Sequence, residues 1–408
     1  MNTTELRHLI DRQRPGWSLE QHFYVSPEIY ELERRGWLAA QWYVLGHVSE
    51  VREPGSFIVR ELLGESLLLV RDAAGVLRGF YNVCRHRGSR ICEKDGRAGA
   101  LVCPYHGWSY RLDGSLRSAA AMPAEIDLTQ LRLHPVPVRE IGGIILGSLT
   151  ADPAALDEIQ QAFEPGLAYL GIPNARIAAR RSYPTYANWK LAMENFVECY
   201  HCFPCHPEYC SVMGHVDLYA RDLPGPAAAW TERETRWFQE EADRDSPIPE
   251  QGFLLTRRKF SQGRGPIGAG RKTQSQDGQP VAPFLGKQRR FDGGASGFGV
   301  NPFVFLQAMN DHAVLFQFLP RGVEHTDVLI SWLVDGSARE AEVDVPRMVW
   351  MWDVTTVQDK AIIERNAAGV RSRVYTPGPY SKLESGTAGY IKGYLEELRS
   401  MCARAVAA

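Results

Sequence analysis

The chain lacks several things that would direct a reading elsewhere. It has no excess of charge, since 46 Lys and Arg stand against 48 Asp and Glu for a formal net of −2. Without a basic surplus to neutralise phosphates, nucleic-acid binding is not expected. It has no long apolar run. Stretches such as 303–306 and 328–334 fall far short of the roughly 20 residues that cross a bilayer, so no membrane association is expected. The opening MNTTELRHLIDRQRPGW has no apolar core of signal-peptide type, and a cytoplasmic location is the expectation. Cysteine is scarce at 8 in 408 residues, too few for a disulfide scaffold, and a reducing cytoplasm would keep the thiols free. No internal repeat is visible. The string Gly263-Arg-Gly265-Pro266-Ile267-Gly268 spells G-x-G-x-x-G, but a proline interrupts it and AGRKTQSQDGQP follows with no helical period. The dinucleotide fingerprint needs a strand before it and a helix after it, so no nucleotide site is expected there.

The length suggests two or three domains. Ser26-Pro27 reads as a helix start, and Ile29, Tyr30, Leu32 and Trp37 follow at helical spacing. From Trp42 to Leu149 the pattern changes to short strands, such as 56–62, 66–72 and 76–82, with Asp113-Gly114 as a hairpin turn. Beyond that, a helix is expected over 153–170, then a strand RIAARRSYPTYA leading into a helix over about 188–202. Strands return at 302–309, 313–320 and 326–334, and helices over 339–370 and 385–405 close the chain. Residues 222–300, rich in Gly, Pro, Arg and Gln, read as an irregular insert or lid. The expected architecture is α+β. A helical segment (1–41) packs on the C-terminal domain, an antiparallel β domain spans 42–150, and a larger helix-and-antiparallel-sheet domain of helix-grip type spans 151–408.

The eight cysteines and eleven histidines cluster together. Cys84-Arg-His86 and Cys103-Pro-Tyr-His106 are separated by 16 residues, and each loop offers one thiolate and one imidazole. The set suits a single tetrahedral zinc or a [2Fe–2S] cluster with cysteines on one iron and histidines on the other. Three details favour the cluster. The first pair is too tight for the usual zinc loop, strand-like segments flank both loops, and Gly88 and Gly107 let backbone amides approach sulfur.

The second constellation lies in N188-WKLAMENFVECYHCFPCHPEYC, which contains Glu194, Glu198, His201 and His206. Glu198 and His201 are three apart, on one face if the segment is helical, and His206 directly precedes Pro207, where a helix would unravel. Two imidazoles and one carboxylate on one side of a metal is the set used for O₂ activation at non-haem Fe(II). Its carboxylate must come from elsewhere. Cys199, Cys202, Cys205 and Cys210 read as small buried residues packing around this segment, ahead of a second zinc site or a C-x-x-C redox pair.

CRHRGS…CPYHGW resembles the Rieske signature of the non-haem iron oxygenases, and the segment after Asn188-Trp-Lys190 resembles their catalytic motif. The resemblance extends over nearly the whole chain and is weakest at 222–300. It implies a terminal oxygenase with a Rieske [2Fe–2S] cluster on Cys84, His86, Cys103 and His106, and a mononuclear iron on His201, His206 and a downstream acid. In VQDKAIIERNAAGVRSR that acid falls on Asp359, with Asp353 and then Asp311 in reserve. Glu198 would not bind iron; it would link His201 to His106 of a neighbouring chain, which implies a head-to-tail homotrimer. With no flavin or NAD site in the chain, electrons would come from a separate flavin/ferredoxin-type reductase. Ring-hydroxylating members usually carry Asp at the bridging position. Glu198 in ECYHC, and RSRVYTPGPYSKLES downstream, resemble instead the branch that oxidises quaternary ammonium compounds. The implied reaction is O₂-dependent monooxygenation of a betaine-like small molecule with loss of an N-methyl group as formaldehyde; the alternative is oxidation of an aromatic acid. Trp350, Trp352, Phe316 and Tyr380 are candidates for an aromatic cage around a quaternary ammonium head.

Overall fold

The computed structural model describes residues 3–214, 232–249, 260–300 and 302–407. The chain divides into two compact units: Ala39–Leu156, and a larger one made of Met1–Leu38 with Asp157–Ala408.

The smaller unit is built from ten antiparallel strands: β1 (Tyr43–His47), β2 (Ser56–Leu62), β3 (Glu65–Arg71), β4 (Leu77–Tyr81), β5 (Gly96–Arg97), β6 (Leu101–Val102), β7 (Ser109–Tyr110), β8 (Leu116–Ser118), β9 (Val138–Ile141) and β10 (Ile144–Gly147). They form three sheets, β4-β3-β2-β5, β1-β10-β9 and β6-β7-β8. Asp113-Gly114 makes the turn between β7 and β8, with Gly114 at φ 82° and the Asp113 carboxylate accepting from Ser115 N at 2.9 Å. Phe57, Leu68, Val70, Phe80, Leu101 and Trp108 are central to the core, and Cys84 and Cys103 are buried in the same cluster. Each large apolar side chain there contributes about 1.5–3 kcal/mol. That core holds the two cysteine loops in place.

The larger unit centres on a six-stranded antiparallel sheet, ordered β11-β16-β15-β14-β13-β12. Its strands are β11 (Arg176–Thr185), β12 (Phe260–Pro266), β13 (Gly294–Val300), β14 (Val304–Ala308), β15 (His312–Gly322) and β16 (His325–Val334). The helices that bear on the site are α1 (Thr3–Asp11), α2 (His22–Val25), α3 (Pro27–Arg35), α4 (Asp157–Tyr169), α5 (Trp189–Phe196), α6 (Cys202–Cys205), α7 (Pro207–Met213), α8 (Val345–Val370) and α9 (Ser385–Ala407). The long helix α8 packs against β11, and α5 packs against β15, β16 and α8.

Part of the stretch expected to be an irregular lid is sheet. β12 and β13 pair from Phe260↔Val300 to Pro266↔Gly294. The link between them carries a buried polar core: Thr273 Oγ1 donates to Asp311 at 2.6 Å, Val281 N donates to the other Asp311 oxygen at 2.9 Å, and Gln274, Ser275 and Gln288 have no exposed surface. Glycine-rich strands and a self-satisfied polar loop carry no hydrophobic period, so the pattern misleads there. Residues 222–231 and 250–259 of that stretch lie outside the described residues. The Gly263–Gly268 string lies on and just past β12 with no helix after it, which removes the dinucleotide reading.

The Asn188-Trp189-Lys190 run has a clear physical role. Asn188 caps α5, its side chain accepting from Lys190 N at 3.1 Å, and its amide donates to Val323 O at 2.8 Å. Lys190 and Glu33 are both fully buried and paired at 2.8 and 2.9 Å, and the Trp189 indole donates to the same carboxylate at 3.0 Å. Tyr394 of α9 also donates to Glu33. This network ties α5 to α3 and α9. Removing one partner leaves the other charge stranded, so Lys190→Met is expected to cost about 3–5 kcal/mol in a denaturant titration, with loss of iron loading following from unfolding rather than preceding it.

Glu194, on the same helix, receives hydrogen bonds from Tyr24 at 2.9 Å and Tyr380 at 3.2 Å. Burial still pushes its carboxyl up to about 7 from the ordinary 4.5, against those bonds. A carboxyl raised in the folded state contributes stability that is fully present below its unfolded pKa of about 4.5 and is lost as pH rises through about 7. Glu194→Gln keeps the shape without the titration. Melting curves from about pH 5 to about pH 8 should therefore fall more for the wild type than for the variant.

Candidate metal centres

The two cysteine loops adopt one shape. In each, a glycine at positive φ (Gly88 75°, Gly107 71°) donates its N–H to the cysteine carbonyl four residues back, at 3.0 and 3.1 Å. A side chain at either φ would be strained. Cys84 and Cys103 are buried at 3% and 2% exposure, whereas His86 and His106 stand exposed at the loop tips. The imidazoles lie edge to face with centroids 4.7 Å apart, and His86 stacks on the Trp108 ring at 4.7 Å. The Tyr110 hydroxyl lies 3.3 Å from Cys84 Sγ and accepts from Arg85 N at 2.9 Å. Burial pushes the Cys84 thiol up, opposed by that hydroxyl. A bound positive metal would reverse the balance and hold the thiolate.

In the larger unit the helix expected over 188–202 stops at Phe196. Glu198 and His201 therefore meet across a turn rather than along a helical face, and the Glu198 carboxylate accepts from both His201 Nδ1 and Tyr200 N. His206 ends α6 and immediately precedes α7, whose first residue is Pro207. Asp359 comes from the middle of α8, which is capped by the Asp344 side chain accepting from Arg347 N at 3.2 Å. Asp359 Oδ1 lies 3.0 Å from His206 Nε2 and 3.3 Å from His201 Nε2. The other ring nitrogens are occupied, His201 Nδ1 by Glu198 and His206 Nδ1 by Gln358 Oε1 at 2.9 Å. Gln358 is held in turn by Glu208, to which its amide donates at 2.9 Å. Both Nε2 atoms thus face one carboxylate oxygen with their tautomers set by neighbours.

Burial alone would raise Asp359, but the hydrogen bonds from His201 and His206 hold it below the ordinary carboxylate range. Burial would likewise lower His201, yet Asp359 and Glu198 outweigh it and push it up to about 9. Negative charge thus collects where two imidazoles converge, which is how a protein prepares a cation site. Among the described residues, these three alone bring ligand atoms within 4.8 Å of one another. The Cys84, His86, Cys103 and His106 donors do not converge in that way, which fits a two-iron cluster better than one tetrahedral zinc.

A small pocket reaches Asp359. Its walls include Phe196 of α5, Phe316 and Phe318 of β15, and Trp352 of α8, with Lys360 beside Asp359. Phe196 packs on Phe318 at 4.7 Å between centroids, and Phe316 on Trp352 at 4.8 Å. The indole N–H donates to Gln274 Oε1 at 3.1 Å, which fixes the plane of Trp352.

Residues 173–400 match the family described as Ring hydroxylating alpha subunit (catalytic domain), and residues 41–137 match the Rieske [2Fe-2S] domain. The chain is 34% identical over 397 residues to the glycine betaine monooxygenase oxygenase subunit of Chromohalobacter salexigens, covering 95% of this chain and 88% of that one. It is also 35% identical to the carnitine monooxygenase oxygenase subunit of Escherichia coli, over 52% of this chain and 57% of that one. This chain is a Rieske terminal oxygenase. Its fold matches the solved quaternary ammonium Rieske monooxygenase CntA in complex with L-carnitine, with TM-score 0.68 at 21% identity over 95% of this chain and 97% of that one. Naphthalene 1,2-dioxygenase shares the fold at TM-score 0.66 and 20% identity, over 95% of each chain. The family membership and the full-length relative place the oxygenase in the quaternary-ammonium branch and give it a Rieske [2Fe–2S] cluster and a mononuclear non-haem iron.

Several expectations about this oxygenase change with its structure. Asp353 pairs with Arg181 and accepts from the Tyr183 hydroxyl at 2.6 Å. Asp311 is committed to Thr273, His312 and Val281. Neither reserve acid joins the histidines. Cys199 and Cys202 are joined in a disulfide, which corrects their reading as packing thiols. The three-residue spacing across a turn sets their Cα atoms 4.9 Å apart, within bridging reach. Cys205 and Cys210 remain free. Of the cage candidates only Phe316 and Trp352 line the pocket. Trp350 is two residues from Trp352 on α8 and faces away from it, while Tyr380 belongs to the Glu194 cluster. The sequence reading missed Phe196, Phe318, Gln358 and Asn195, whose amide lies 3.2 Å from His201 Nε2. Only the α5 residues left a trace, since Ala192, Asn195 and Phe196 stand at helical i, i+3, i+4 spacing.

Proposed function

We propose that this oxygenase monooxygenates a quaternary or tertiary amine of betaine type and releases an N-methyl group as formaldehyde. The observation that carries the reading is the aromatic pocket opening onto Asp359, with three phenylalanines and one tryptophan around it. Aromatic faces attract a quaternary ammonium through their quadrupole, and a desolvated wall strengthens that attraction. The glycine betaine and carnitine oxygenase subunits described above support the same substrate class.

In this reading Cys84, His86, Cys103 and His106 hold the Rieske cluster, and His201, His206 and Asp359 hold the iron. The iron, when bound, supplies the centre at which O₂ is activated. Glu198 keeps the His201 Nδ1 proton and so directs Nε2 inward. Gln358 does the same for His206. Glu198 also stands where the resemblance puts a link to His106 of a neighbouring subunit, which makes a homotrimer the working assembly. Phe196, Phe316, Phe318 and Trp352 exclude water and orient the methylammonium group. The overall reaction takes R₃N⁺–CH₃, O₂, two electrons and two protons to R₃N⁺–CH₂OH and water. Collapse of the N-hydroxymethyl group then gives R₃N, formaldehyde and a proton. The electrons come from NAD(P)H through a separate flavin/ferredoxin-type reductase.

The test is a single-turnover reaction of reduced, iron-loaded oxygenase with O₂ and a panel of betaines, methylated amines and aromatic acids. Formaldehyde from a betaine, with the matching loss of one methyl group by mass, is the expected result. An oxygenated aromatic acid without formaldehyde would overturn the amine reading in favour of ring oxidation.

A further inference from the structure

The two histidines of the proposed mononuclear site are oriented by unlike groups. His201 Nδ1 meets the Glu198 carboxylate directly, whereas His206 Nδ1 meets Oε1 of Gln358 at 2.9 Å. A carboxylate only accepts, so Glu198 leaves His201 a single tautomer. A primary amide is ambivalent: its oxygen accepts and its nitrogen donates, and alone it suits either tautomer of His206. With the amide turned over, its N–H would donate to Nδ1. The imidazole proton would then sit on Nε2, and the lone pair facing Asp359 would be lost.

Glu208 withdraws that choice. It lies in the first turn of α7, which packs on α8, and its carboxylate accepts from Gln358 Nε2 at 2.9 Å. The turned amide would set Oε1 against that carboxylate, two acceptors with no proton between them. The amide oxygen is therefore held on His206 Nδ1, which must bring a proton to it. Nε2 keeps its lone pair toward Asp359 Oδ1, 3.0 Å away. Two short segments thus brace each other. One carries His206 and Glu208, and the other carries Gln358 and Asp359 side by side on α8. An acid in the first turn of a helix is also favourable through the helix dipole alone. That role needs the charge on α7 but no contact with Gln358, so the two roles are separable.

Resting on the assignment of the mononuclear iron to His201, His206 and Asp359, we infer that Glu208 is a positioning residue of this oxygenase. It fixes the metal-binding tautomer of His206 through the direction it imposes on the Gln358 amide.

The probe is Co(II), titrated by calorimetry into protein that retains its Rieske cluster but has been stripped of mononuclear iron. Single-turnover product from the iron-loaded proteins is taken in parallel. Glu208→Gln allows either amide direction and should weaken Co(II) binding several-fold. In Glu208→Lys the ammonium only donates, which favours the turned amide, and binding should fall by about tenfold or more. The double variant Glu208→Gln with Gln358→Glu moves the carboxylate one link inward, where it accepts from both His206 Nδ1 and the amide at position 208. That swapped pair should recover the affinity lost in Glu208→Gln, although it takes the charge off α7. Wild-type affinity in Glu208→Lys, or a swapped pair that binds no better than Glu208→Gln, overturns the assignment; the second result would leave Glu208 as a helix-end charge. If Glu208→Lys does not fold, the comparison of Glu208→Gln with the swapped pair decides. Asp359→Ala is the control for the reading beneath. Should it lose Co(II) while the Glu208 variants bind as wild type does, only this inference fails. Should it bind Co(II) as wild type does, the ligand assignment itself fails.

Discussion

Asp359→Ala is expected to abolish product formation, by on the order of a thousand-fold or more, and to lower iron content from three ions per chain to two. The proposed mononuclear site has one anionic donor, and Asp359 is the group that faces both His201 Nε2 and His206 Nε2, at 3.3 and 3.0 Å. Without it two imidazoles and no charge remain, and a divalent ion has little reason to stay. The visible spectrum of the cluster should be unchanged, because Cys84, His86, Cys103 and His106 lie in the other compact unit. Iron analysis, the reduced-cluster EPR signal and single-turnover product together check this. Asp353→Asn serves as the control: its carboxylate is engaged by Arg181 and Tyr183, so the third iron should be retained. An Asp359→Ala protein that kept three irons would move the ligand assignment elsewhere.

Glu198→Gln is expected to separate metal binding from turnover. The glutamine still meets Tyr200 N and the His201 ring but loses the charge that holds the Nδ1 proton. Outer partners of metal-bound histidines cost about 10–100-fold when removed, and a loss of that order in kcat with all three irons retained is the expected outcome. If Glu198 also links the centres of adjacent subunits, the rate at which the reduced cluster is reoxidised in the presence of substrate and O₂ should fall in step with product formation. Full activity, or loss of iron equal to that of Asp359→Ala, would remove Glu198 from the positioning role. The pH profile gives a second readout, because the raised basicity of His201 depends on Glu198 and Asp359 together. Loading the apoprotein with iron must displace the His201 proton, so uptake should improve as pH rises toward about 9.

Much of this molecule is readable along the chain. Cys84-x-His86 and Cys103-x-x-His106 each sit within one loop, so their donors are neighbours in sequence as well as in space, and spacing alone narrows the metal. Glu198, His201 and His206 lie within nine residues for the same reason. The strand at 65–71 reads as one apolar run because it is buried on both faces, and the helix at 345–370 buries residues at helical spacing.

Other features needed the tertiary structure. Asp359 lies 153 residues from His206, and along the chain only the family resemblance of VQDKAIIERNAAGVRSR favours it over Asp353. The fold decides, because six residues along α8 turn the two carboxylates to different faces, one onto Arg181 and one onto the histidines. The pocket is assembled from α5, β15 and α8, so Phe196 and Phe318 become neighbours only when the sheet receives both helices. The link between β12 and β13 reads as irregular because its buried polar residues find partners in the interior, Thr273 on Asp311 and Gln274 on Gln307, a state that hydropathy registers as exposure. Local chemistry is written in short spacings. Which distant groups share a site depends on how the sheet and helices close, and that is a property of packing rather than of pattern.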